Sequence, residues 1–414
     1  MTPIDLLRKL GETPLPAPPD MLRRGPLREG TFTSPLRSQR LTTQLGLWLG
    51  VAFGICFITG LISHFIQHPG GVFWWPAHPV WLYRVTQGVH VATGLALVPL
   101  LGVKLWSVYP KLFTWPPAKN IAHALERGSI AILVAAALFQ VTTGLLNIAR
   151  WYPPMGFFFT TAHYWTAWLT IGALLIHIAV QLPVIRRNLG RKAAAGTRAA
   201  EAVEAADETV PQHGGLSRRG LIAVVATSAG VITVATVGQT IAPLSPLAVL
   251  GPRRPSQGPQ GLPVNKSAAG AGVLTTATDP SYHLMLIGPG GTQRFSLADL
   301  RAMAQHTVQL PIACVEGWSA TATWTGVPIR ELAKLAGVAD ANASVEVTSL
   351  QKDSSYATST LPPPHVRDAS TLLALAIDGA PLALDHGYPA RIIAPNRPGV
   401  LQTKWVSILR VVPE

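Results

Sequence analysis

The chain has two cysteines in 414 residues, Cys56 and Cys314, too few for a disulfide framework. Cys56 lies in an apolar run and Cys314 far away in a polar region, so each reads as a free thiol or a ligand. Charge is also scarce. Only 13% of residues are Asp, Glu, Lys or Arg, and the mean hydropathy is +0.31. That excludes an ordinary soluble protein and puts part of the chain in a bilayer. Acidic residues are the scarcer sign, and the formal net charge is +13. Up to Gly251 there are 20 basic residues against 9 acidic; beyond it, 13 against 11. The excess flanks apolar runs, so it reads as membrane topology and not as a nucleic-acid surface.

Four apolar segments are long enough to cross ~30 Å of hydrocarbon as helices: Thr43 to Phe65, Trp81 to Trp106, Ala122 to Ile148 and Ala162 to Ile185. A fifth runs from Gly220 to Ile241. Arg23, Arg24, Arg28, Arg37 and Arg40 precede the first span; Lys111, Lys119 and Arg127 follow the second; "RRNLGRK" follows the fourth. The alternate loops, "QHPGGVFWWPAHP" and "RWYPPMGFFFTT", are aromatic and carry the single Arg150. The positive-inside rule then predicts a cytoplasmic N-terminus. The reading is a cytoplasmic tail (1–40), a four-span domain (41–190), a small-residue and mixed-charge linker (191–216), and a fifth span (217–250). The fifth span opens "LSRRGLIAVVATSAG". Paired arginines before an apolar run resemble a twin-arginine export signal, although this one is internal; the plain alternative is a pair of topological flanks. Either way, the residues after Leu250 are expected outside the cytoplasm.

From "GPRRPSQGPQGLP" onward the pattern changes to short β-type segments, "YHLMLIG", "VQLPIACV", "SVEVTSL", "ARIIAP" and "KWVSILRVV", with short helices near "SLADLRAMA" and "PIRELAKLAG". A mixed α/β domain over 258–414 is expected. Cys314 follows one such strand and precedes Glu316, Gly317, Trp318 and Ser319. A lone cysteine there is often just a small buried hydrophobe. As a metal ligand it lacks a second Cys or nearby His for zinc, so most ligands would have to come from a cofactor, as with molybdenum held by a pterin dithiolene.

"ACVEGWS" with "TWTGVPIRELAKLAGV" resembles the molybdopterin domain of the sulfite oxidase family, most closely its branch of periplasmic protein methionine sulfoxide reductase catalytic subunits. "LALDHGYPARIIAPNRPGVLQTKWVSILRV" matches that family a second time. The resemblance implies that Cys314 ligates molybdenum and that His386 occupies a pterin-contacting position that is often Asn. It further implies that Arg391 holds the cofactor and that Gln402, Thr403 and Lys404 bind its phosphate end. "GLPVNKSAAGAG" resembles the segment that places Asn265 and Lys266 on the cofactor. Two departures bear on substrate. Sulfite-oxidising members follow the ligand cysteine with an Asn-Arg-Arg stretch, which is missing after Cys314, and the short domain is expected to lack their extra β-sandwich dimerisation domain. A sulfoxide or N-oxide is the expected substrate class.

Histidine is costly inside a spanning helix and marks function by default. The spans hold His64, His90, His163 and His177, with His123 at a span mouth. His163 and His177 lie fourteen residues apart on one helix, nearly four turns and ~21 Å, the layout of a helix serving two stacked haems. The plain alternative is histidines that bond neighbouring helices. The four-span pattern resembles the cytochrome b subunits of membrane formate dehydrogenases, which implies haem b ligated by His90 and His163. His64 could replace either of them. His177 lacks the partner expected near the start of the first helix, and Lys104 stands where a second histidine of the second helix would be, so a second haem is left open.

The whole reads as an all-α transmembrane four-helix bundle, a fifth anchoring helix and a mixed α/β molybdopterin domain. It is expected in a bacterial cytoplasmic membrane, exchanging electrons with the quinone pool or another membrane donor and acting on a small molecule by oxygen-atom transfer. The alternatives are oxidation of a small substrate with electrons sent to quinone, and a cofactor-free membrane scaffold.

Overall fold

The computed structural model describes residues 17, 20–24, 28, 34, 36–68, 75–189, 216–238, 241–251, 253–254, 256–352 and 354–414. Of the expected 191–216 linker, Leu216 alone falls among them. Among the described residues five helices are long and apolar enough to cross a membrane: α1 Gln39–Gln67, α2 Leu82–Val108, α3 Ile121–Ala149, α4 Phe159–Leu189 and α5 Arg218–Val237. The fifth ends earlier than expected. Pro243 and Pro246 cannot sustain an α-helical ladder, and Ala242–Leu247 winds as a 3-10 turn instead.

The described chain forms two compact units, 1–57 with 93–233, and 58–92 with 234–414. In the first, Leu49, Ala52, Leu97, Leu101 and Ala137 pack α1, α2 and α3 together. Asn120 caps the start of α3 by accepting from the His123 N–H, and Arg150 closes its end in the left-handed region. Polar groups here are paired across helices, since hydrocarbon offers no alternative partner. Lys104 Nζ donates to the Thr42 carbonyl (2.6 Å), and Asn188 Nδ2 donates to Thr43 Oγ1 (3.3 Å).

The second unit holds two five-stranded sheets. One has the order β2 (Gly291–Ser296), β1 (His283–Gly288), β10 (Val406–Pro413), β5 (Ala343–Ser349), β6 (Thr358–Leu361), with β1 and β10 parallel and the other pairs antiparallel. In the other, β3 (His306–Ala313) pairs with β4 (Ser319–Pro328), β4 with β7 (Leu372–Ile377), and β7 with both β8 (Ala380–Pro381) and β9 (Arg391–Ile393). Residues Leu284, Leu286, Val345, Val347 and Leu409 alternate into a core closed by helices Ile329–Leu335 and Pro363–Arg367. Each fully buried Leu there contributes about 2 kcal/mol. The expected segments became β1, β3, β5, β9 and β10, and the two expected short helices formed at Leu297–Ala302 and Ile329–Leu335. β2, β4, β6, β7 and β8 are additional. β7, "LLALAI", is buried on both faces, so it has no period-2 signature to read.

The candidate molybdopterin cradle and the histidine sockets

β3 ends at Ala313, and the chain reverses through a turn that begins with Cys314. The Cys314 N–H donates to the Trp318 carbonyl (2.9 Å), and the Gly317 N–H donates to the Cys314 carbonyl (3.1 Å). Gly317 sits at φ +91°, where a side chain would be strained. A methyl group at Gly317 would also come within 2.9 Å of Val91, so two constraints require glycine. Glu316 is buried, accepts from the Trp318 indole N–H (3.0 Å) and lies 3.8 Å from Arg253 Nε.

Cys314 itself is buried against Trp318, Trp324 and Leu262. Burial, with the Glu316 carboxylate adding to it, pushes its thiol far up; nearby backbone N–H groups and Arg253 oppose. Such a sulfur keeps its proton until a metal displaces it. Among the described residues no group of three or more His, Cys, Asp or Glu could hold a metal by itself.

β9 and the strip before β10 supply the cationic groups. Arg391 is 3% exposed and lies over the Trp324 ring at 5.1 Å. Its three nitrogens donate to carbonyls of Ile392 (3.4 Å), His386 (3.0 Å) and Gln402 (3.3 Å). Among the described residues it has no carboxylate partner, and burial pushes its guanidinium down to about 9. Lys404 Nζ donates to the Asp385 carbonyl (2.9 Å) and to the Lys266 carbonyl, and stands 4.6 Å over the Trp405 ring. Burial, and then Arg391, push its ammonium down to about 7.

His386 Nε2 lies 2.6 Å from the Pro259 carbonyl. A carbonyl can only accept, so Nε2 carries the proton and Nδ1 is left as an acceptor. Burial pushes this imidazole down to about 4, so it is neutral at pH 7. Asn265 accepts from the Lys266 N–H, and its carbonyl accepts from Arg253 Nη2 (3.4 Å).

The structure therefore brings Lys266 to Lys404 and His386 to Arg391 through backbone carbonyls, with Arg391 and Lys404 donating to the adjacent carbonyls of His386 and Asp385. Gln402 and Thr403 are turned inward: Gln402 Nε2 donates to the Ala394 and Arg397 carbonyls, and Thr403 Oγ1 pairs with Ser359 Oγ (2.7 Å). Gln402 Oε1 is buried without a hydrogen-bond partner. Crowded cations with only neutral partners, a neutral histidine acceptor and an unpaired amide oxygen form a donor set that suits an anionic, hydrogen-bonding cofactor. Arg253, which lies 3.8 Å from Glu316 and donates to the Asn265 carbonyl, was not visible as a site residue, because Glu316 is distant in sequence.

The membrane histidines sit in two similar sockets, each inside its own unit. His90 Nδ1 lies 3.1 Å from Thr59 Oγ1, and a methyl group at the adjacent Gly60 would come within 3.2 Å of the His90 ring. His163 Nδ1 lies 3.3 Å from Thr143 Oγ1, and Gly144 faces the His163 ring at 3.9 Å. Thr-Gly on a neighbouring helix meets each imidazole at Nδ1. With the proton on Nδ1 the hydroxyl accepts it, and Nε2 keeps its lone pair for a metal, the outer-shell pattern of a ligated histidine. His64 instead stacks on His68 at 4.5 Å, and His177 has no side-chain hydrogen bond among the described residues.

Residues 272–414 match the model of the oxidoreductase molybdopterin binding domain. Mouse mitochondrial sulfite oxidase is 29% identical over 165 residues, covering 33% of this chain and 30% of that protein. A putative protein-methionine-sulfoxide reductase subunit YedZ1 of Azospira oryzae is 29% identical over 117 residues, covering 28% of this chain and 43% of that protein. The sulfane dehydrogenase SoxCD from Paracoccus pantotrophus matches with a TM-score of 0.30 at 23% identity, over 33% of this chain and 39% of that one. The C-terminal domain is thus a molybdopterin oxidoreductase domain of the sulfite oxidase type. The chain spans under half the length of each of these relatives.

Proposed function

We propose that this chain is a membrane-bound molybdenum oxidoreductase that passes electrons between the quinone pool, or another membrane donor, and an extracytoplasmic molybdopterin site. Bound there, molybdenum would supply oxygen-atom transfer, and haem b would supply electrons singly. Cys314 would furnish the protein's thiolate. Arg391, Lys404, Lys266 and His386 would hold the pterin and its phosphate, with Asn265, Gln402 and Thr403 shaping that strip. His90 and His163 would carry the haem, each oriented by its threonine.

One observation carries the reading. The first turns of α2 lie against the Cys314 turn within one compact unit: Gln87 Nε2 donates to the Val315 carbonyl (2.7 Å), and Val91 fills the space beside Gly317. His90 stands between them in sequence. The helix that carries a candidate haem ligand therefore touches the loop that carries the candidate metal ligand.

Reduction of a sulfoxide or N-oxide is favoured. The residues after Cys314 are Val315, Glu316 and Gly317, with no oxyanion-binding arginines, and one relative is described as a putative methionine-sulfoxide reductase subunit. The second reading, oxidation of a small substrate with electrons sent to quinone, draws on the sulfite oxidase relatives. Molybdenum and haem counts on purified protein, followed by a screen of sulfoxides and N-oxides with reduced dye, test both. Cys314→Ser should abolish turnover while the haem spectrum survives, because a hydroxyl replaces a soft thiolate poorly. Full turnover in that variant would remove Cys314 from the mechanism, and protein lacking both metals would overturn the reading and leave a scaffold.

A further inference from the structure

A second polar recess lies outside the cradle of Arg391 and Lys404. It encloses ≈ 300 Å³, counting its opening to solvent, and its walls include Phe65, Trp75, Thr360, Pro362, His365 and Arg397, all in one compact unit. Arg397 is 5% exposed. Its Nε donates to the Leu401 carbonyl (3.0 Å) and its Nη2 to the Thr360 carbonyl (2.7 Å). Nη1 makes no hydrogen bond among the described residues, and no carboxylate there lies within ion-pair reach of the guanidinium. A buried cation without a counter-charge is costly, and burial pushes this guanidinium down to about 9.

His365 is 2% exposed, and among the described residues neither ring nitrogen has a partner at full hydrogen-bond geometry; the Pro395 backbone, which bears on the ring as an acceptor, opposes the downward shift. Burial, then the charge of Arg397, push the imidazole down to about 3, so at neutral pH it is uncharged and keeps one N–H as a donor. The acid nearest this ring, Asp368, is already paired with His78 at 2.7 Å. Two donors without a geometric hydrogen-bond partner among the described residues, one charged and one neutral, thus line a recess walled in part by aromatic rings. Trp75 and Ile66 of its wall pack in the same apolar cluster as Ala313, the residue before Cys314.

We propose that this recess is a binding site for a small oxyanion, held by Arg397 Nη1 and the His365 N–H, with Phe65 and Trp75 in its wall. An anion neutralises the buried guanidinium and fills both donors at once, which neither water nor an uncharged oxide does. The site uses neither the residues that follow Cys314 nor the cationic strip at Arg391 and Lys404, and it stands whichever way electrons flow.

The test uses the purified full-length chain in detergent with its molybdenum content measured. Sodium sulfate is titrated calorimetrically against sodium chloride at matched ionic strength, with dimethyl sulfoxide as the uncharged oxide. Saturable sulfate binding near one per chain, weakened at least tenfold in Arg397→Met with molybdenum content unchanged, is the expected result. Should Arg397→Met fail to fold, His365→Phe decides, and it too should weaken binding. No saturable binding, binding unchanged in the variant that decides, tighter binding of dimethyl sulfoxide than of sulfate, or binding lost in Lys404→Met instead each overturns the proposal. Loss of molybdenum from Arg397→Met overturns it as well, by assigning Arg397 to the cofactor.

Discussion

The amide of Gln87 donates to the carbonyl of Val315 at 2.7 Å, a hydrogen bond that spans 228 positions of sequence and ends one residue from Cys314. Gln87 is buried, so replacing it by Leu leaves the half-buried Val315 carbonyl without its donor, at a local cost of about 1 kcal/mol. Gln87→Leu should keep its haem and molybdenum yet slow reoxidation of the haem by substrate several-fold, while turnover driven by a dye that reduces the molybdenum domain directly is spared. Stopped-flow spectroscopy at the haem band checks this. Equal slowing of both routes would make Gln87 a general stability residue instead.

His90→Ala and His163→Ala should cause the same loss of b-type absorbance, because each would delete one axial ligand of the same iron. His177→Ala should cost less. Thr59→Val and Thr143→Val should retain haem but shift its midpoint potential, since each removes the group that would accept the Nδ1 proton of its ligand histidine. Redox titration in the visible region reads all five variants. Haem lost from His177→Ala and kept in His90→Ala would reverse the assignment.

Lys404 links pH to cofactor occupancy. Its ammonium is pushed down to about 7 from an ordinary 10.5, so between those values the unfolded chain binds a proton that the folded, cofactor-free domain does not. Where the unfolded state binds more protons, stability rises with pH. The molybdenum-free protein should therefore gain stability from pH 7 toward 10.5, and Lys404→Met should flatten that slope. Cofactor phosphate would keep the ammonium charged, so molybdenum-loaded protein should show a shallower slope. Urea titrations across this range, followed by tryptophan fluorescence, measure it.

Arg218 and Arg219 open α5, where they serve either as topological flanks or as an export signal. Replacing both by Lys preserves charge, so topology alone predicts no change, whereas a receptor-read signal predicts that the C-terminal domain stays inside. Protease shaving of spheroplasts distinguishes the two. A C-terminal domain still cut from outside in the Lys-Lys variant would leave the arginines as flanks.

The local and periodic features were legible in the sequence. Long apolar runs determined the five helices, because hydrocarbon-length stretches have few other stable forms. Cys314, Arg391 and Lys404 stood out only through the family resemblance of short contiguous motifs; the carbonyls of Lys266 and Asp385 that hold Lys404, and the Trp324 ring under Arg391, come from other parts of the chain. Tertiary structure decided what depends on distant partners. β7 carries no strand signature, because both its faces are covered by elements remote in sequence. Arg397 looks like a surface loop residue in "APNRPG" and is buried only because the Leu401 and Thr360 carbonyls wrap its guanidinium. Thr59 and Thr143 are ordinary helix residues until a neighbouring helix brings an imidazole to each. Gln87 becomes informative only when α2 meets the Cys314 turn, a contact that no pattern along one chain direction encodes, because hydrogen bonds and packing act through space while motifs are read along the chain.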